Sequence, residues 1–433
     1  MGEGMMFTRL CRSYLRRALT GEREIALERR ALSLEGHFEG LENLGVYLHI
    51  PFCEQICPYC PYNKEIYRPD VAQSYTKAVK TEIDLYAELV ADTPVTSFYI
   101  GGGTPTTMLH TGLSEILDHI RRRFDVRCEM HLESHPNHLT SSNLDTIGSL
   151  GIDHLSIGVE SLQDRHLELL KRPYSAEEVR AAVGRAVARD FKCVNTDLMF
   201  AFPGQTYEEV EEAGRALVEM AVDQVAAYPL FLFPYTRMGR EAMDGGRKGA
   251  SVFKRRKMFH ILEGLFRGAG FERTSVWAFT RRDVPKYCSV TVPLYVGLGA
   301  SGGTYLRDVF YLNTFRVSEY IRSLEQGRLP IALSLQLSEK MQMAGWLYWR
   351  IYETRFLKED FKARFGKNFD EIYGRYVKLS ALLGFLRDDG NRVALSDRGA
   401  FWLHALEDLF SINYIGRLWG DLKQDPWPQC IAL

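Results

Sequence analysis

An α/β class, in which a parallel sheet or barrel is wrapped by helices and followed by a smaller helical unit, is predicted by three features of this sequence. Apolar strand-like runs alternate with helix-patterned stretches six times between residues 45 and 270. The strand-like runs are nearly continuous rather than alternating, the pattern of strands covered on both faces. After about residue 310 the alternation stops and helical patterning takes over. Consecutive right-handed βα units give a doubly wound sheet or a barrel, and in either the chemistry sits at the carboxyl ends of the strands.

The elements follow in order. "GVYLHI" (45–50) precedes the helix pattern "VAQSYTKAVKTEIDLYAELV", and "VTSFYI" (95–100) leads through Gly101, Gly102 and Gly103 into "LSEILDHIRRRF". "EMHLES" pairs with "SSNLDTIGSLG", "HLSIGV" with "RHLELLKR" and "AEEVRAAVGRAVARD", and "CVNTDLMF" with "TYEEVEEAGRALVEMA". "QVAAYPLFL" and "FKRRKMFHILEGLFRGAG" make the sixth unit. Beyond them, "SEKMQMAGWLYWRIYETRF", "FDEIYGRYVKLSALLGF" and "DRGAFWLHALEDLFSINYIGRL" read as helices around a hairpin, "FLRDDGNRVALS", a helix-plus-wing arrangement. The expected domains are an N-terminal amphipathic helical arm over 1–44, a βα domain over 45–310 and a mainly helical, winged-helix-like domain over 311–433. The wing carries as much negative as positive charge, which suits a packing lid better than a DNA reader.

Composition narrows the function classes. The chain has 433 residues, 46% hydrophobic, with a formal net charge of −1, enough to build a large core. No basic excess supplies the phosphate-neutralising term of nucleic-acid binding, so no nucleic-acid partner is expected. No apolar run reaches the roughly 18 residues of a membrane span, and the N-terminus lacks the apolar core of a secretory signal. A cytoplasmic location follows as the expectation.

The eight cysteines are too sparse for a disulfide scaffold, yet Cys53, Cys57 and Cys60 crowd together straight after the first strand. In a reducing compartment such a group holds a metal or does redox work. Two readings compete. Zinc would need a fourth donor, with His49 the nearest candidate. An iron–sulfur cluster held by three thiolates, where four are usual, would leave one iron open to chemistry. Cys11, Cys128, Cys193, Cys288 and Cys430 stand alone and are expected to be inert, partly buried thiols.

The Cys53-x3-Cys57-x2-Cys60 run, placed after a first strand and within six βα units, resembles the radical S-adenosylmethionine superfamily. More narrowly, "YLHIPFC", "GGGTPT", "LESHP", "LSIGVES", "NTDLMFAFPGQT" and "GLGASGG" resemble, in order, motifs of the oxygen-independent coproporphyrinogen III oxidase (HemN-like) group, over about residues 45 to 305. The resemblance implies a partial, TIM-like (β/α)6 barrel. It also implies a [4Fe-4S] cluster on Cys53, Cys57 and Cys60, whose fourth iron takes S-adenosylmethionine and whose electron cleaves it to a 5'-deoxyadenosyl radical. Gly102, Gly103 and Thr104 would lie against the methionyl end of that cofactor, Tyr47 and Arg172 beside its carboxylate, and Glu133 and Asp197 on its amino or ribose groups. Tyr59, in the cysteine loop, is a further expected contact. Some relatives hold a second S-adenosylmethionine at positions matching Gly103, Glu160 and Met199; Glu160 stands where glutamine is usual. No catalytic residue beyond these cofactor contacts is implied. An external electron donor of flavodoxin or ferredoxin type and a monomeric chain are expected.

Two departures bear on the reaction. Coproporphyrinogen oxidases carry a further cysteine two places after the third, where this chain has Tyr62. Related haem chaperones carry a histidine motif where this chain reads "KYCSVTVPLY". Members lacking both are often methyltransferases or cyclopropanases, so radical methylation or cyclopropanation of an sp2 carbon with two S-adenosylmethionine molecules is the first expectation. Oxidation within tetrapyrrole metabolism is the alternative, and a haem-binding chaperone without turnover the second. The aromatic stretches "YPLFLFPY" and "VWAF" either line a flat pocket for a conjugated small molecule or pack as core.

Overall fold

The computed structural model describes residues 13–14, 16–90, 93–245, 249–281, 284 and 294–433. Six strands form its centre: β1 (Leu44–Ile50), β2 (Val95–Gly102), β3 (Met130–Ser134), β4 (His154–Glu160), β5 (Cys193–Phe200) and β6 (Gln224–Pro229). Each is parallel to the next and hydrogen-bonded to it in sequence order. An order that never reverses puts every right-handed crossover on the same face. That selects a barrel over a doubly wound sheet, which needs a switch point. The helices that return the chain include α1 (Pro69–Val90), α2 (Leu113–Arg123), α3 (Ser141–Ser149), α4 (Asp164–Leu169), α5 (Ala176–Val187) and α6 (Tyr207–Glu219). Capping boxes start α5 at Ser175 with Glu178 and α6 at Thr206 with Glu209, each satisfying two otherwise orphaned backbone donors. Apolar residues from both strand faces and the inner helix stripes form one continuous core, from Leu44 and Leu48 to Phe259 and Phe279.

The sheet continues past the six strands at both edges, so it is an open, partial barrel. Beyond β6 lie β8 (Ala278–Arg281) and β7 (Phe271–Arg273), both antiparallel. On the other side β9 (Tyr295–Leu298) runs parallel to β1 and leads to β10 (Gly303–Tyr305), β11 (Val309–Asn313) and β12 (Ile331–Gln336). The expected boundary at residue 310 therefore falls inside β11. The short strands between 303 and 336 were missed because each is only a few residues long. A separate core forms further on, around Trp346, Phe361 and Phe369. There three short antiparallel strands, 355–357, 386–388 and 392–395, pack with helices in the winged-helix-like manner expected.

The N-terminal arm also needs correction. Among its described residues it is helical at 13–14 and 16–20, whereas Ala26–Glu28 is a strand. That strand lies between β12 and the last strand, Cys430–Ala432. Leu27 and Ile431 are buried with Leu333 and Leu422, so burial of one side chain and two backbone ladders outweigh helical propensity here. The Arg16 guanidinium adds a bond to the Leu433 carbonyl at 2.6 Å. The exposed thiol of Cys430 on this strand departs from the expected burial, while Cys193 is buried and Cys128 partly so. Cys11 and Cys288 lie outside the described residues.

Candidate active site

The cysteine loop leaves the carboxyl end of β1 and is closed by a two-residue parallel ladder, Phe52–Cys53 against Glu65–Ile66. Its backbone carbonyls are claimed from several directions. The Met238 N–H donates to Pro58 O at 3.0 Å, the Tyr235 hydroxyl to Pro61 O at 2.9 Å, and the Lys423 ammonium to Pro61 O at 2.9 Å. From beneath, His49 Nε2 meets Asn63 O at 3.0 Å and its Nδ1 faces the Tyr47 hydroxyl at 3.0 Å. A carbonyl only accepts, so the ring proton is on Nε2 and Nδ1 accepts from Tyr47. Burial lowers the His49 pKa to about 4, which keeps the ring neutral. His49 is thus a support under the loop, with both nitrogens used.

Glycines bring β2 against this loop. A Cβ on Gly103 would stand 2.8 Å from Phe52 O and 2.9 Å from Cys53 Sγ, and Gly102, at φ +122°, would strike His49 and Ile50 in the same way. The Gly103 N–H donates to Ile50 O and the Thr104 N–H to Phe52 O, both at 2.8 Å. The Thr104 hydroxyl lies 3.5 Å from Cys53 Sγ. The missing side chains therefore serve the approach of two backbones as well as room for a ligand.

Three acids face the cavity above the strand ends. Glu133 on β3 accepts from the Tyr99 hydroxyl at 2.6 Å and the Gly102 N–H at 3.0 Å. Glu160, at the end of β4 and only 6% exposed, has φ +63°; it accepts from Arg172 at 2.6 Å and from the Tyr228 hydroxyl at 3.2 Å. Asp197 on β5 accepts from Asn195 at 3.0 Å. Burial first, then the neighbouring Glu160 and Glu133, holds the Asp197 carboxyl well above the usual range. Burial likewise raises Glu133. Arg172 also donates to the Tyr59 hydroxyl at 2.7 Å, and its Nε is buried without a partner.

The cavity that joins these groups measures about 610 Å³. Cys53, Cys57 and Cys60 lie on its wall, as do Tyr59, Gly102, Gly103, Thr104, Glu133, Glu160, Arg172, Asp197 and Met199. Tyr47 is the one expected contact not on it; its hydroxyl is spent on His49. Tyr228, Phe231, Phe233 and Trp277 form an aromatic side, so "YPLFLFPY" and "VWAF" supply pocket wall. Sequence reasoning missed Tyr99, Asn195 and Ser156, polar groups inside apolar strands, which period-based reading assigns to core. It also missed His404, on α7 (Asp397–Gln424), which accepts the Trp277 indole N–H at 2.8 Å; nothing in sequence spacing links positions so far apart.

Two features test the donor chemistry. Burial pushes the Cys53 thiol up to about 12 and raises Cys57, so these thiols stay protonated until a metal displaces the proton. Among the described residues no group of three His, Cys, Asp or Glu side chains could share a single ion. A cubane cluster asks something else, one thiolate at each of three iron corners. Above the strand ends the wall then carries three carboxylates, Glu133, Glu160 and Asp197, beside the Arg172 guanidinium, while at its border Glu54 pairs with His138 and Lys64 turns to the carbonyls of Cys60 and Tyr62. Such a wall suits a ligand with cationic ammonium and sulfonium groups and one carboxylate for Arg172.

Residues 47–217 match the model of the Radical SAM superfamily. The heme chaperone HemW of Bacillus subtilis is 24% identical over 360 residues, covering 82% of this chain and 95% of the relative. The oxygen-independent coproporphyrinogen III oxidase of Bradyrhizobium diazoefficiens is 24% identical over 390 residues, 85% of this chain and 86% of the relative. Among solved structures, the coproporphyrinogen III oxidase HemN of Escherichia coli, described as a radical SAM enzyme, superposes with a TM-score of 0.77 at 21% identity, covering 89% of this chain and 94% of that one.

Proposed function

We propose that this chain is a radical S-adenosylmethionine enzyme of the HemN-like group, a reading supported by the match of residues 47–217 and by its relatives, and that it acts on a tetrapyrrole held in the cavity between the cysteine loop and the aromatic wall. One observation carries this reading: the thiols, the acid-rich wall and Tyr228, Phe231, Phe233 and Trp277 all border the same space. Its size lies within the range of small-molecule sites, about 300–1,000 Å³. The relatives, a heme chaperone and two coproporphyrinogen oxidases, support a flat conjugated ligand of that class.

Cys53, Cys57 and Cys60 would hold the [4Fe-4S] cluster. Arg172 would take the carboxylate of S-adenosylmethionine and Glu133, Glu160 and Asp197 its cationic and ribose groups. When bound, these cofactors supply one-electron cleavage of the sulfonium to a 5'-deoxyadenosyl radical able to abstract hydrogen. The chain's own work is positional. Gly103 and Thr104 set the distance between loop and strand, the His49–Tyr47 pair stiffens the loop, and the aromatic wall orients the ring system. Ile412 and Ile415 of α7 line the same cavity and exclude water from it.

Radical methylation or cyclopropanation, with a second S-adenosylmethionine near Gly103, Glu160 and Met199, is the second reading. Tyr62 in place of a fourth cysteine favours it. An anaerobic incubation of reconstituted protein with dithionite, S-adenosylmethionine and coproporphyrinogen III or haem separates the readings. Tetrapyrrole processing gives 5'-deoxyadenosine in step with tetrapyrrole loss and no S-adenosylhomocysteine. Equal amounts of both nucleosides would move the conclusion to methyl transfer. A Soret shift with haem and no deoxyadenosine would leave only a chaperone.

A further inference from the structure

On its outer side the cysteine loop borders a second, open groove of about 700 Å³. Cys57 and Cys60 line both the groove and the inner cavity, so the loop itself is the wall between them. The two sides differ in charge. Inside, carboxylates dominate. Outside, the groove is bordered by Lys64, Lys171, Arg237, Arg240, Arg316 and Lys423, with Glu65 the single carboxylate among the described lining residues. Glu65 is turned inward, accepting from the Val317 N–H at 3.2 Å. Arg237 has a partner, Glu241 at 2.9 Å, on its own exposed helix turn. Lys171, Arg237, Arg240 and Arg316 are exposed. Among them is Ile56, next to Cys57 and 41% exposed, an exposed apolar side chain within a cationic lining.

We propose that this groove is the docking face for an acidic one-electron carrier protein. The inference rests on the radical reading above, since only a redox group behind Cys57 and Cys60 needs such a partner. Across this face one electron leaves the reduced carrier, which is oxidised, and enters the cluster, which is reduced; no group or proton is transferred. Charge complementarity at a rim mainly steers encounter and sets its salt dependence. Exposed apolar side chains beside charged ones are the usual anatomy of a transient interface. The cationic lining lies on the outer side of Cys57 and Cys60, so an acidic carrier is directed to that side of the loop.

The test uses the full-length protein and reduced flavodoxin, an acidic flavoprotein, as probe. Binding is followed by fluorescence anisotropy at about 50 and 200 mM salt, a range over which exposed charge attraction is increasingly screened. Cluster bleaching by flavodoxin hydroquinone or by dithionite is followed in parallel. The double variant Arg237→Glu/Arg240→Glu and, on a different segment, Arg316→Glu are each expected to weaken binding at low salt by about tenfold or more, to flatten its salt dependence and to slow flavodoxin-driven reduction. Dithionite-driven reduction should stay at the wild-type rate. Arg322→Glu, exposed on helix 317–325 away from the groove, is the control. Unchanged binding in the groove variants, equal weakening in the control, or free flavin mononucleotide binding as tightly with the same charge dependence would each overturn the docking assignment. A wild-type protein that forms no dithionite-reducible cluster sinks the radical reading instead, and the binding measurement still decides the docking face.

Discussion

The Asp197 carboxyl offers a single-residue test of the ligand proposed for its cavity. Its carboxyl is held above the usual range chiefly by burial and then by Glu160 and Glu133. A cationic ligand arriving beside it lowers that pKa, so binding of S-adenosylmethionine is expected to release protons and to tighten as pH rises. Calorimetry in buffers of different ionisation enthalpy reads the release directly; binding with no proton change would contradict the assignment. Asp197→Asn should weaken S-adenosylmethionine binding roughly tenfold or more, the loss of a charged hydrogen bond, while leaving cluster absorbance intact. Gly103→Ala places a methyl 2.9 Å from Cys53 Sγ. Overpacking of that kind costs about 1–3 kcal/mol, here concentrated on a proposed cluster ligand. Iron content should fall below half of wild type with circular dichroism unchanged; full iron loading would mean the glycine serves only as a turn. The cysteines, glycines and strand-end acids were legible because each breaks the pattern around it. Tyr99 and Asn195 were not, since a polar group satisfied inside a strand leaves no trace in periodicity.

Helix α1 illustrates how one element fixes another. Glu82, buried on its inner face, accepts from the Gly299 N–H at 2.7 Å, the Asn313 amide at 2.7 Å and the Tyr320 hydroxyl at 2.5 Å. Tyr75, two turns earlier, donates to His49 O and accepts from the Ala300 N–H. The "GLGA" segment, with Gly299 at φ +94°, is thereby pinned beside β1 and the root of the cysteine loop. Burial raises the Glu82 pKa from 4.5 to about 7 despite its three donors. A raised folded pKa contributes stability that is complete below pH 4.5 and is lost as pH rises through about 7. Thermal stability should therefore decline from pH 5 to 8. Glu82→Gln, uncharged throughout, should flatten that decline, and an identical slope in the variant would show that other groups set it. The helix was readable from its apolar stripe. Its buried acid was not, because at the sequence level an isolated glutamate on a long helix reads as solvent-exposed.

At the scale of the whole molecule the strands Ala26–Glu28 and Cys430–Ala432 together form one edge of the sheet, and the C-terminal helix lines the cavity. α7 reaches from the Arg267–Asp397 ion pair, 2.6 Å, to Lys423 on the cysteine loop, so this C-terminal helix is also part of the cavity wall. Ile431→Asp, at a position only 3% exposed, puts a charge between the terminal strands. It should destabilise the protein by about 3 kcal/mol or more and speed proteolysis within residues 29–43; retained resistance would mean the terminal ladder contributes little. The βα alternation made the barrel legible, since period and order survive without knowledge of contacts. The continued sheet and the strand at Ala26–Glu28 were not legible, because pairings between residues hundreds apart depend on what the folded core leaves uncovered. No helix of the described residues is long and apolar enough to cross a membrane. The most direct measurement of the central claim is 5'-deoxyadenosine formation by anaerobically reconstituted protein given dithionite and S-adenosylmethionine, with Cys57→Ala alongside. The expected result is a cluster absorbance and deoxyadenosine from the wild type and neither from the variant. Cleavage retained by the variant, or absent from a wild type that holds its iron, would contradict it.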